Sequence, residues 1–196
     1  PTAISEEWKK KINGRKTILW TPHHLINDND EGTGTFLIWG KQILDAMEAE
    51  KNLAFIFRPH PLLLGNLINS GKLSESQIEH LYERIIESEN IIWDDNEQYL
   101  NAFSVSDAII TDGTTFCIEY LYTKKPIMLT PRNMTGYYSY EDMLESYYIA
   151  NDFSDIEDFL DLMKRGEDPL KEKRIAFYDR LFFIPEGKTV GEHIIM

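Results

Sequence analysis

The sequence predicts an α/β fold, a three-layer αβα domain with a mostly parallel sheet of about five or six strands. Short apolar runs alternate with longer stretches that have helical periodicity. The runs are rich in β-branched residues, as in strands covered on both faces. Small polar or basic residues follow several runs, and in open α/β sheets ligands bind at that carboxyl edge.

Six apolar runs are the predicted strands: 16–22, 53–58, 90–93, 108–111, 126–129 and 148–150. The predicted helices are 35–50, a short one starting at Pro61, 74–87, 97–104, 115–122, 140–146, 154–164 and 169–181. In the first helix Phe36, Trp39, Ile43 and Met47 recur at helical spacing. Ser74 is a typical N-cap. This regular alternation indicates crossover helices on both faces of the sheet.

Length and charge narrow the range of functions. The 196 residues suit a single domain, and because the chain begins at Pro1 we expect it to be a piece of a longer polypeptide. The net charge of −13 argues against nucleic acid or an anionic membrane as a direct partner. Any site for phosphate must therefore attract it through groups in direct contact, because the charge of the whole domain does not. The longest apolar runs are too short to cross a bilayer.

The chain has a single cysteine, Cys117, which excludes an internal disulfide and suits a cytosolic protein. It lies in an apolar helical run. We therefore expect an inert core thiol rather than a nucleophile.

The first candidate site motif, Arg58-Pro59-His60-Pro61, follows the second predicted strand. The flanking prolines hold His60 in a stiff, non-helical backbone, so it can act as a general acid or base or donate to a phosphate. The alternative is a histidine that caps a helix or bonds a carbonyl group. Arg58, two residues earlier on the same side of the chain, favours the functional role.

The second motif, 111–115, joins the fourth predicted strand to a helix. Gly113 would allow a tight turn and close approach of a ligand, while Thr114 and Thr115 offer hydroxyl and N–H groups to a phosphate. Asp112 would hold the loop or bond a ligand hydroxyl. The alternative is an ordinary helix cap.

Further candidates flank these motifs. Glu119 lies one turn after Thr115 on the same helix face and could reach a ribose or hydroxyl group, or be a solvated residue. Two polar loops follow strands, and the second contains Arg132. In the first loop the adjacent His23 and His24 should point in different directions, so that one faces the cleft and the pair chelates poorly. No zinc, dinucleotide or P-loop motif is present, and we expect no metal or cofactor.

Taken together, these motifs resemble a known family. The segments that carry the resemblance are Arg58-Pro59-His60-Pro61, 106–112 with Thr114-Thr115, Glu119-Tyr120, Lys125-Pro126-Ile127 and Glu186-Gly187-Lys188-Thr189. They resemble the C-terminal half of CDP-glycerol glycerophosphotransferase-like proteins, bacterial enzymes that build teichoic-acid-type and capsular polymers of the cell envelope. Departures from the family pattern occur at 113–115 and at 21–24, and they leave the donor group and the acceptor open.

The resemblance implies a Rossmann-like domain that forms the C-terminal, donor-binding half of a GT-B fold, spanning 1–196 with a helical tail over about 168–196. It implies His60 as the catalytic-region histidine. It matches Thr111, Asp112, Thr114 and Thr115 to the segment that holds the donor's phosphates, and Glu119 to an acidic residue on the following helix. Together with the candidates drawn from the residues themselves, the predicted donor-binding set is His23, Arg58, Asp112, Gly113, Thr114, Thr115, Glu119 and Arg132.

The implied function is transfer of glycerol phosphate, or a related polyol phosphate or sugar, from a CDP-activated donor to a cell-surface polymer. A polymer or lipid-linked acceptor would bind through a missing N-terminal half, so the isolated domain should bind donor without turnover. The implied location is cytoplasmic, and the full-length protein could be peripheral at the inner face of the plasma membrane. Two alternatives stay open, a nucleotide-sugar epimerase-like enzyme and a non-catalytic domain that binds a nucleotide or a partner.

Overall fold

Strands and helices alternate throughout the residues that the computed structural model describes, which are 4–26, 34–132 and 141–183. The strands are β1 Lys16–Thr21, β2 Leu53–Phe57, β3 Ile91–Trp93, β4 Ala108–Thr111, β5 Ile127–Leu129 and β6 Tyr148–Ile149. The helices are α1 Glu6–Ile12, α2 Phe36–Ala49, α3 Leu63–Asn69, α4 Glu75–Glu87, α5 Leu100–Val105, α6 Thr114–Leu121, α7 Glu141–Leu144, α8 Phe153–Arg165 and α9 Lys171–Leu181.

The strands form one six-stranded sheet in the order β3-β2-β1-β4-β5-β6, and every neighbouring pair is parallel. The chain builds outward from β1 to β3, returns to the other side of β1 with β4, and then builds outward again. The order therefore reverses between β1 and β4, where Thr21 pairs with Thr111 at the strand ends. In open α/β sheets a ligand crevice forms at this reversal.

Side chains alternate between two cores, one on each face of the sheet. Trp20, Phe55 and Phe57 pack with helices α2, α3, α4 and α8. Leu19 and Ile56 point to the other face and pack with α1, α5, α6, α7 and α9. Burial on both faces explains why the strands are continuous apolar runs. The predicted three-layer fold is confirmed.

The sequence located the strands well and some helix ends less well. β4 has the predicted bounds, and Ser74 caps α4 in a capping box with Gln77, as expected. Helix α1 was not predicted, because only Trp8 of its seven residues is buried and its apolar signal is weak. The short helix expected from Pro61 begins at Leu63. Residues 184–196, with the motif at 186–189, lie outside the described part of the chain.

Two further predictions concern the body of the domain. Cys117 is fully buried, and this burial raises the pKa of its thiol, as expected for an inert core cysteine. Within the described ranges, no helix is both long enough and apolar enough to cross a bilayer.

Candidate functional site

A cleft of about 430 Å³ opens at the carboxyl ends of β1, β2 and β4. Three segments line it: residues 21–23 and 25 after β1, residues 58–61 after β2, and residues 111, 113, 115 and 116 around the start of α6. The cleft is therefore at the reversal of strand order. It brings together five predicted site residues, His23, Arg58, His60, Gly113 and Thr115.

Asp112 is buried next to this cleft, and its carboxylate accepts hydrogen bonds from both ends of the loop between β1 and α2. One carboxylate oxygen accepts the backbone N–H of His23 at 2.7 Å. The other accepts the backbone N–H of Thr35 at 2.6 Å and the Thr35 hydroxyl at 3.0 Å. The Thr35 hydroxyl also lies 3.2 Å from that of Thr130, which follows β5. Of the two roles expected for Asp112, these contacts favour holding the loop.

Complete burial raises the pKa of Asp112 to about 6, while the bonds from Thr35 and His23 oppose this shift. The sequence places Thr35 beside Gly34, directly before a long amphipathic helix, where it could form part of a second anion-binding turn. Its contact with Asp112 was not predicted. Here its hydroxyl contacts Asp112 and not the helix end.

Gly34 closes the loop that begins at His23. The N–H of Gly34 donates to the carbonyl oxygen of Leu25 at 3.0 Å. A Cβ atom on Gly34 would lie 2.2 Å from that oxygen, so only glycine permits this approach. The loop therefore returns close to its start, and Leu25 is held at the cleft.

Three histidines, His23, His24 and His60, lie close together after the carboxyl ends of β1 and β2. The ring centroids of His24 and His60 are 4.0 Å apart, those of His23 and His24 4.3 Å, and those of His23 and His60 5.4 Å. His23 lines the cleft and His24 is not among its lining residues, as expected of the adjacent pair, although the two rings lie in contact. The turn after β1 folds His24 back against His60, and the backbone N–H of His60 donates to the Pro22 carbonyl at 3.0 Å. Sequence adjacency alone could not reveal this turn.

The imidazoles of the cleft are held in the neutral form. Burial lowers the pKa of His23 to about 4, and the charges that His24 and His60 would carry lower it further. Burial and the neighbouring His24 also lower the pKa of His60. The Nδ1 atom of His23 accepts the N–H of Leu25 at 3.3 Å, and Nδ1 of His60 accepts that of Leu62 at 3.1 Å. Each neutral ring therefore carries its proton on Nε2.

Despite this cluster, the described residues contain no group of three histidine, cysteine or acidic side chains arranged to hold a metal ion. Two of the three Nδ1 atoms already accept backbone N–H groups.

Arg58 lines the cleft, and its guanidinium is hydrogen-bonded to residues that follow β3. Its guanidinium donates to the carboxylate of Asp94 at 2.7 Å and to the carbonyl of Asn96 at 2.7 Å. Asp94 is 1% exposed and directly follows β3, so it belongs to the same sheet edge. It was missed because a lone aspartate after a short strand carries no distinctive pattern. The pair fixes a positive charge at the wall of the cleft.

The start of α6 forms the opposite wall. The first-turn N–H groups of a helix have no partner within the helix, and Thr115 and Phe116 of this turn line the cleft. The backbone conformation at Gly113 does not itself require glycine, because its φ of −96° is open to any residue. A Cβ atom there would lie 3.6 Å from the His23 ring, an ordinary contact. The side chain of Thr114 lies outside the described part of the structure.

Two predicted residues do not line this cleft. Glu119 lies in a separate groove with Tyr99 and Tyr122, and its hydrogen bond to Tyr99 raises the pKa of that phenol. The cleft covers only the first turn of α6, so a residue one turn later falls outside it. Arg132 follows β5 at the same sheet edge but is not among the lining residues. The rest of its loop, 133–140, is not described.

A parallel α/β sheet with a cleft at its strand reversal defines this chain as a Rossmann-like α/β domain. Comparison with known sequences gives the particular family. A sequence model of CDP-glycerol:poly(glycerophosphate) glycerophosphotransferase matches residues 10–192, and the chain belongs to this family. The predicted resemblance is therefore confirmed.

Individual relatives are more distant. The teichoic acid ribitol-phosphate polymerase TarK of Staphylococcus aureus is 24% identical over 96% of this chain, and the chain spans 35% of TarK. The wall teichoic acid polymerase TagF, solved as a variant soaked with CDPG, is 20% identical with a TM-score of 0.52, over 96% of this chain and 44% of TagF.

A UDP-N-acetylglucosamine 2-epimerase is 13% identical with a TM-score of 0.55, over 90% of this chain and 41% of the epimerase. At these identities the structures show the fold alone. That fold is half of the two-domain GT-B arrangement, as predicted.

Proposed function

We propose that this chain is the donor-binding domain, 1–196, of a transferase that moves glycerol phosphate, or a related polyol phosphate, from a CDP-activated donor to a cell-surface polymer. One observation carries the proposal. In a chain of this family, two imidazoles and a helix N-terminus line a single cleft at the reversal of strand order. Such a cleft suits the diphosphate of a nucleotide donor.

The cleft supplies hydrogen-bond donors without a general positive charge. His23 and His60 each offer a neutral Nε2–H group, and the first turn of α6 offers backbone N–H groups. Arg58, held by Asp94, adds one fixed charge. Because the chain as a whole carries −13, attraction of the donor must come from these local groups.

His60 is proposed to act on the leaving nucleotide. An acceptor hydroxyl attacks the phosphorus that bears the glycerol and loses its proton to solvent. The bond from that phosphorus to the bridging oxygen breaks, and the nucleoside monophosphate leaves with the electron pair. An Nε2–H donor beside the bridging oxygen stabilises the charge that develops there. The α6 N-terminus supports the same charge through its dipole.

The acceptor is proposed to bind outside this chain. TarK and TagF, a ribitol-phosphate polymerase and a wall teichoic acid polymerase, are each more than twice as long as the matched region. A polymer or lipid-linked acceptor would bind to such an additional part, at the inner face of the plasma membrane. The isolated domain would then bind donor without turnover.

Calorimetric titration tests the proposal against its alternatives. CDP-glycerol and CDP-ribitol should bind saturably, more tightly than UDP-sugars, and His80→Asn, an exposed change on α4, should leave binding unchanged. Preference for a UDP-sugar would favour the epimerase-like alternative, in which the nucleotide stays attached to the product. No binding of any nucleotide would contradict a donor-binding role.

A further inference from the structure

His24 lies between the cleft and a second recess, and the proposed function assigns it no role. Its ring contacts both cleft imidazoles, with centroid distances of 4.3 Å to His23 and 4.0 Å to His60. It does not line the cleft itself. It lines a neighbouring recess of about 350 Å³ together with Asn66 and Asn69 of α3, and the amide of Asn66 donates to its carbonyl at 3.1 Å.

The three rings differ in how their Nδ1 atoms are used. Those of His23 and His60 accept backbone N–H groups, so protonating either ring at Nδ1 would break a hydrogen bond. Nδ1 of His24 is buried and has no hydrogen-bond partner. Of the three, His24 is therefore the ring that can take a proton on Nδ1 without losing a bond. Asn66 and Asn69, whose side chains are neutral amides, line the same recess.

We propose that His24 is a proton-holding residue of the donor site: when the diphosphate binds in the cleft, His24 takes up one proton from solvent, while His23 and His60 remain neutral Nε2–H donors. The inference rests on the proposed function, because it requires an anion in the cleft. It adds a third histidine and a proton linkage to that function.

The surroundings explain why the proton arrives only with the ligand. His24 lies against two imidazoles, and the Arg58 guanidinium lines the adjoining cleft. Asp112 bonds the backbone of His23, and Asp94 bonds Arg58, so both carboxylates are directed to other partners. No aspartate or glutamate is among the described residues that line the cleft or the recess. A bound diphosphate supplies the negative charge that the cluster lacks.

Proton uptake makes donor affinity depend on pH. If binding takes up one proton, the dissociation constant increases by up to about tenfold for each unit of rising pH. The diphosphate diester of CDP-glycerol has no group that titrates between about pH 6.5 and pH 8.5, so the dependence must come from the protein.

The experiment is calorimetric titration of CDP-glycerol in buffers of different ionisation enthalpy, without phosphate, from about pH 6.5 to pH 8.5. The slope of observed enthalpy against buffer enthalpy gives the number of protons taken up. We expect about one per ligand in the wild type near neutral pH, and less than about a third as many in His24→Asn. His80→Asn, on exposed α4, should match the wild type.

Several results would overturn the inference. Saturable binding with no proton uptake would remove the linkage and leave the proposed function standing. Unchanged uptake in His24→Asn would assign the proton to another group, and His24→Gln gives a second test if the asparagine variant does not fold. Absence of CDP-glycerol binding at every pH would remove both the inference and the proposed function.

Discussion

The carboxylate of Asp112 accepts the backbone N–H of His23 at 2.7 Å, joining the loop after β1 to the end of β4. The two strands are adjacent only because the sheet order reverses between them. This hydrogen bond therefore fixes the relative positions of the two segments that flank the cleft.

Replacing Asp112 should destabilise the domain. In Asp112→Asn one oxygen that accepts from a backbone N–H becomes an NH₂ group, which leaves a buried donor facing another donor. We expect a loss of about 2–3 kcal/mol in the free energy of unfolding, measured by urea denaturation. Asp158→Asn, on the exposed side of α8, is the control and should change it by less than about 0.5 kcal/mol. Equal effects of both changes would contradict the role of Asp112.

Alanine substitutions at Gly34 and at Gly65 should have opposite effects on stability. Gly34→Ala places a Cβ atom 2.2 Å from the Leu25 carbonyl oxygen and should destabilise by about 1–3 kcal/mol. Gly65 lies in α3, and a Cβ atom there would have no described atom from outside its own helix within 4 Å, so Gly65→Ala should stabilise by up to about 1 kcal/mol. Thermal unfolding of the two variants should therefore shift the melting temperature in opposite directions. A shift of the same sign in both would refute this reading of Gly34.

The Arg58–Asp94 ion pair should contribute more to the stability of the domain than an exposed ion pair does. Asp94→Ala leaves the largely buried Arg58 guanidinium without its carboxylate, and we expect a loss of about 3 kcal/mol. Asp179→Ala removes an exposed partner of Lys124 and should cost less than about 1 kcal/mol. Chemical denaturation of both variants tests the difference, and a small effect at Asp94 would show that Arg58 finds other partners.

Lowering the pH should destabilise the native state, because the native environment of His23 disfavours its protonation. Its pKa is about 4 in the native state against an ordinary value of 6.5, so between these values the unfolded chain binds the proton and stability falls as pH falls. Asp112, with its pKa raised from 3.8 to about 6, acts in the opposite direction over nearly the same range. His23→Asn retains Asp112, which isolates the histidine.

Unfolding free energies of wild type and His23→Asn should therefore be compared at about pH 7 and pH 5. We expect the wild type to lose more stability on acidification than the variant. Parallel curves would mean that His23 titrates normally in the native state.

His60→Ala should reduce turnover more than donor binding. In a complete transferase polypeptide, loss of an Nε2–H donor beside the leaving group should lower turnover by about a hundredfold or more. The donor dissociation constant of this domain should change much less, because the α6 N-terminus and His23 remain. Release of nucleoside monophosphate measures turnover, with His80→Ala as control. Full turnover in His60→Ala would show that the histidine is structural.

Local pattern was sufficient for much of this architecture. Apolar runs such as 108–111, buried on both faces, separated strands from amphipathic helices without any knowledge of their partners. The residues that follow strands could also be placed at one edge, which is why His23, Arg58 and His60 were predicted together. Helix α1 was missed because its stability depends on burying Trp8 against the other elements, and its remaining residues are mostly charged.

The sequence by itself determined the αβα class, the strand segments and the edge at which His23, His60 and Thr115 lie, because these follow from hydrophobic period and chain direction. Only the tertiary structure decided which groups meet there. The partners Asp112 and Thr35 are 77 residues apart, Arg58 and Asp94 are 36 apart, and His24 reaches His60 through a turn. Such contacts depend on the return of the chain to β4 beside β1 and on close packing at that junction, neither of which is encoded in a local pattern.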